Sequence, residues 1–165
     1  MLSRWLHALR AAQRFAGQLP RGALVERAVA IRPRTVGVLG VHVFKIADNF
    51  LNAVKAGATY DGTAADVQEM DPFTRDNAEM AAYGAGVIER LQQWQTQFTA
   101  EKAREEIPTI TGQQPLSKVL ERATCHSTQH TRQLQFVLEQ AGVAPDGPLT
   151  LQDLQGLPVP ERLFE

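Results

Sequence analysis

Cysteine is almost missing from this chain: Cys125 is the only one in 165 residues. A lone cysteine excludes an intramolecular disulfide and fits a reducing compartment such as the cytoplasm. Long apolar runs are missing too, and nothing approaches the roughly 20 residues a helix needs to cross a bilayer. Positions 1–15 are broken by Arg4, His7, Arg10 and Arg14, so they lack the apolar centre of a signal peptide. Acid-free and arginine-rich, that stretch superficially resembles a transit peptide. An amphipathic helix accounts for it equally well, with Trp5, Leu6, Leu9, Ala12, Phe15 and Leu19 on one side. Net charge is small, at −1, which argues against nucleic acid or an anionic membrane as a partner.

Acid is scarce in one region. Arg4, Arg10, Arg14, Arg21, Arg27, Arg32 and Arg34 are opposed there only by Glu26. The plain reading is a solvated helix face; the sharper one is a patch for an anionic ligand or partner. With 44% hydrophobic and 21% charged residues, the composition is that of an ordinary globular protein, and the length suits one domain over 1–165.

Strand alternation, internal repeats and low-complexity tracts are not evident, and helical periodicity is. A first helix is expected over 2–18, stopped by Leu19-Pro20, with a short helical turn over 23–30. A second is expected over 35–56, ending at Gly57, with Val36, Leu39, Val43, Ile46, Phe50 and Val54 as its apolar stripe. A polar connection over 58–73 follows, and Thr63 or Thr74 is placed to cap the third helix, over 75–100. Gly84 and Gly86 inside that helix suggest close helix contact. Residues 107–114 read as a turn-rich connection, and a fourth helix runs from Pro115 to about Gln140, stopping at Gly142. The tail over 144–165 contains Pro148, Pro158 and Pro160, and its leucines predict that it packs on the helices. The pattern indicates an all-α protein, a four-helix bundle with a packed proline-containing tail.

Against this background His126 and His130 stand out. They are four residues apart, so they share a helix face. They fall on the stripe of Leu116, Val119, Leu120, Ala123, Leu134, Val137 and Leu138. An unpaired polar group in such a place costs roughly 1–3 kcal/mol, and a metal ion would justify it. His42, at the edge of the second helix's stripe, is the candidate third ligand. Three imidazoles with an open fourth position describe a catalytic-type site for zinc or nickel, with iron as a further option. Core histidines satisfied by carbonyls are the competing explanation. Cys125 points about 100° away from His126 and is not expected to be a ligand. His7 is expected to be exposed, Arg132 to face outward, and Gln133 and Asn49 to border the site. Ser127 stands where HExxH would need glutamate, which excludes a metalloprotease of that type. Trp94 and Phe98 are read as core, with a dimer interface as the alternative.

The stretch Thr35-Val36-Gly37-Val38-Leu39-Gly40-Val41-His42, with His126-Ser127-Thr128-Gln129-His130-Thr131-Arg132-Gln133-Leu134, resembles the DinB/YfiT-like superfamily. The resemblance runs from about Phe15 to Leu163. It is closest to the DinB-like domain that some bacteria fuse to a glutaredoxin-like domain. Further similar stretches are His42-Val43-Phe44, Ala82-Tyr83-Gly84 and Pro145-Asp146-Gly147-Pro148-Leu149. The resemblance implies a four-helix bundle binding a divalent metal through His42, His126 and His130, and a homodimer. It also implies a metal-dependent transferase using a low-molecular-weight thiol, or a related enzyme, acting on a small molecule. A metal or ligand sensor without turnover is the alternative.

Overall fold

The computed structural model describes residues 1–28, 34–62 and 72–164. Helix α1 spans Leu2–Gln18 and buries Trp5, Leu6, Leu9, Ala12 and Phe15. It ends where Leu19 turns extended ahead of Pro20, which cannot donate to the ladder. A 3-10 turn, Arg21–Val25, occupies the start of the expected helical turn; 29–33 lie outside the described residues. Helix α2, Val36–Ala56, is capped by Thr35, whose hydroxyl accepts from the Val38 amide. It stops at Gly57, where φ is 63°, a left-handed conformation that glycine takes without a Cβ clash.

Helix α3, Asn77–Gln95, differs from expectation at both ends. Its cap is Asp76, whose carboxylate accepts from Ala78 and Glu79, while Thr74 sits in a 3-10 turn, Pro72–Thr74. The other candidate cap, Thr63, lies outside the described residues. The helix stops short of position 100 because local side chains compete for the backbone. The Thr96 hydroxyl donates to the Gln93 carbonyl, and Thr99 accepts from the Lys102 amide to start the next turn, Lys102–Arg104.

The absence of strands is also corrected. Residues β1, Glu106–Thr109, and β2, Gly112–Pro115, form an antiparallel hairpin with Thr109 opposite Gly112. Pro108 and Pro115 obscured it as turn signals. The hairpin is short, and Gly112, at φ 102°, supplies the conformation its tight turn requires. Tyr60 bonds to its edge: the Tyr60 amide donates to the Pro108 carbonyl, and the Ile110 amide to the Tyr60 carbonyl. The connection leaving α2 is thereby held against the hairpin.

Helix α4 spans Leu116–Gln140, and a four-residue α5, Leu151–Leu154, lies in the tail. Helices α1 and α2 each pack against both α3 and α4. Trp5, Phe50 and Trp94 meet edge to face at the centre, with centroids 5.2 and 5.1 Å apart. Trp94 is thus committed to the core, and Phe98 packs on it. Gly84 is a point of close contact, since a Cβ there would lie 2.6 Å from the Phe44 ring; at Gly86 it would meet only the Arg90 side chain, at 3.6 Å. Among the described residues no helix is long and apolar enough to cross a membrane.

The tail does pack. Leu157 is buried, although Leu151 is 87% exposed. Two of the N-terminal arginines are used to hold it: Arg4 donates to the Gln155 carbonyl, and Arg14 to the carbonyls of Asp146 and Gly147.

Candidate metal centre

Helix α4 is buried over nearly its whole circumference between Ala123 and Leu134, not along one stripe. Its small polar residues permit this. Ser127 donates to the Val43 carbonyl on α2, Thr124 to the Leu120 carbonyl, and Thr131 to the Ser127 carbonyl one turn back. Short side chains let α2 approach closely, and His42 of α2 arrives opposite the α4 pair.

The three rings converge. Centroids of His42 and His126 are 5.3 Å apart, those of His42 and His130 4.7 Å, and those of His126 and His130 4.8 Å. One nitrogen from each ring can be chosen so that all lie within 4.8 Å of one another. His42 and His130 are buried, and His126 is half-buried. Among the described residues this is the one cluster of potential ligands of that size, and it could hold a metal ion.

The tail sets the tautomer of His130. The Gln133 side-chain amide donates from Nε2 to the Leu163 carbonyl at 2.8 Å, and its Oε1 lies 2.7 Å from His130 Nδ1. A carbonyl can only accept, so it faces the amide nitrogen and leaves Oε1 toward the ring. His130 Nδ1 must then carry the proton, and Nε2 keeps its lone pair free for a ligand bond. Gln133 therefore borders the site as expected. Arg132 does not face outward: it donates to Gln129 Oε1 and to the Pro160 carbonyl. Gln129 in turn donates to the carbonyls of Arg162 and Leu163, so three α4 side chains clamp the tail beside the histidines. Asn49 is half-buried two turns past His42, about 10 Å along the axis of α2.

The electrostatics favour the neutral form of His126 and His130. Burial, aided by His42, pushes the His130 pKa down to about 3, against a smaller opposing effect of Gln133. Burial, then Arg122 and Arg34, also lower His126, while a hydrogen bond to the Gly62 backbone raises it. A partner that favours the protonated ring is an acceptor, here the Gly62 carbonyl. Burial and the Glu121 charge push the Cys125 thiol up to about 11, so it is protonated at neutral pH and is not among the clustered ligands. His7 lies apart and exposed, 3.3 Å from Asp153.

A stability change with pH follows for the metal-free protein. The folded-state pKa of His130 lies below the ordinary 6.5, so the unfolded chain binds the proton first. His130 contributes no difference above about pH 6.5, and folding stability is lost as the pH falls toward 3, at about 1.4 kcal/mol per unit. Urea melts at about pH 7, 6 and 5 are expected to show this slope, reduced in His130→Gln. Equal slopes in the two proteins would contradict it.

Sequence reasoning placed the three histidines and Gln133, whose spacing of three from His130 marked a shared face. It missed Gly62 and the tail carbonyls, which come from non-helical segments carrying no periodic signal. No family model matches the chain, and no curated protein matches it.

Proposed function

We propose that the chain is a divalent-metal-binding, DinB-like four-helix bundle that acts as a metal-dependent thiol transferase or a related enzyme. The observation that carries this reading is the convergence of three imidazoles within 4.8 Å, with His130 held in the tautomer that leaves Nε2 free. The donor set fits zinc or nickel, and iron as well. Bound there, such an ion would lower the pKa of a thiol or water at the open position, supplying a nucleophile at neutral pH.

The chain's own residues do the rest. His42, His126 and His130 would hold the ion without adding negative charge, leaving its charge to polarise a bound thiol or water. Gln133 and the Gly62 carbonyl orient two of the rings. Arg122 and Arg34 add positive potential close to His126, which favours an anionic nucleophile or substrate. Cys125, protonated and buried, is spectator rather than nucleophile.

Protein purified without a histidine tag is expected to carry close to one divalent ion per chain. The loaded protein is expected to conjugate bacillithiol or mycothiol to members of an electrophile panel, with the rate lost on chelation. A folded protein that stays metal-free after exposure to zinc and nickel would sink the site. Full metal occupancy without turnover on any thiol would favour the sensor instead.

A further inference from the structure

Beside the histidines lies a cavity of about 460 Å³ that the metal reading leaves unused. Its size suits a small organic molecule. Its wall is divided in character. Ile110, Val119 and Pro158 form an apolar side, while Lys118 and Arg122, one turn apart on α4, bring two cations against the single carboxylate of Glu121. Neither cation has an ion-pair partner among the described residues.

Tyr60 is 4% exposed, and its buried hydroxyl has no hydrogen-bond partner among the described residues. That hydroxyl has less than 1 Å² of accessible surface, so it lies behind the cavity wall and is closed to a ligand atom. Tyr60 and Arg122 come together at Gly62: a Cβ there would lie 3.5 Å from both the Tyr60 hydroxyl and Arg122 Nε. Gly62 is also the residue whose backbone bonds His126, so cavity and histidines share a wall.

We infer that this cavity binds a small carboxylate with an apolar body, its carboxylate taken by Arg122 with Lys118, and its body lying along Ile110, Val119 and Pro158. The assignment of that molecule as substrate rests on the metal reading above; the binding itself does not. Arg122 offers the planar fork that matches a carboxylate, and Lys118 adds a second positive charge one turn away.

Titration of the 15N-labelled full chain with phenylacetate, in metal-free and zinc-loaded forms, tests this. Saturable amide shifts are expected at 60–62, 109–114 and 118–125. Phenylacetamide, the uncharged counterpart, is expected to bind at least about tenfold more weakly. Arg122→Gln, at an exposed position, is expected to lose a similar factor for phenylacetate while keeping the wild-type zinc stoichiometry. Shifts elsewhere, no shifts, or equal binding of acid and amide would overturn the inference. Zinc uptake without cavity shifts overturns it and leaves the metal reading standing. Cavity shifts in a protein that takes up no zinc overturn the metal reading and leave the cavity a carboxylate site.

Discussion

His130→Ala is expected to abolish the stabilisation that zinc confers on the folded protein. An ion that binds only the folded state at a hundred times its dissociation constant adds about 2.7 kcal/mol, and thermal or urea melts with and without zinc measure that gain. His126→Ala and His42→Ala are expected to behave alike, because each removes one donor of the three. His7→Ala is the control: His7 lies apart, exposed and paired with Asp153, and its loss leaves the zinc response intact. Gln133→Leu separates positioning from ligation. It keeps all three donors but deletes the acceptor that holds the proton on His130 Nδ1, so zinc affinity is expected to fall about 10–100-fold without loss of the one-to-one stoichiometry. An undiminished zinc response in His130→Ala would mean that these rings do not hold the ion.

Gly37→Ala is expected to destabilise the fold by about 3 kcal/mol or more. Gly37 lies in the first turn of α2, and a Cβ there would fall inside the Thr74 carbonyl oxygen and lie 3.1 Å from the Leu24 carbonyl oxygen. Both obstacles are backbone, so relief requires α2 to move away from the turns it packs on. Gly40→Ala, one turn further on, is the contrast. There the Cβ meets Met80 Sδ, part of a flexible side chain that can swing aside. The helix preference of alanine over glycine, up to about 1 kcal/mol, offsets part of that cost. Urea unfolding of the two variants is expected to separate them by about 2 kcal/mol or more. Comparable stabilities would mean that α2 does not press on the Thr74 turn as closely as described.

Much of the helical framework was legible in the residues. Trp5 to Leu19, Val36 to Phe50 and Leu116 to Leu138 repeat at helical spacing, and those positions are buried as their period predicts. Pro20, Gly57 and Gly142 marked where helices end for reasons local to the backbone. The end of α3 was misplaced because Thr96 and Thr99 draw the backbone into turns that apolar periodicity does not register. The hairpin was hidden by its prolines and held by Tyr60, a partner from a distant segment. On α4 the stripe found His126 and His130 but could not foresee that Thr124, Ser127, Thr128 and Gln129 are buried as well.

Local periodicity and local chemistry therefore place three histidines on two helices, since which face a side chain takes depends only on its spacing along the chain. Their convergence depends on Ser127 meeting the Val43 carbonyl and letting α2 come close. The proton on His130 depends on Gln133 being pinned by the Leu163 carbonyl, thirty residues away. The cavity depends on Tyr60 lying against the hairpin. Those are contacts between segments distant in the chain, and they form only when burial of the shared core brings the segments together.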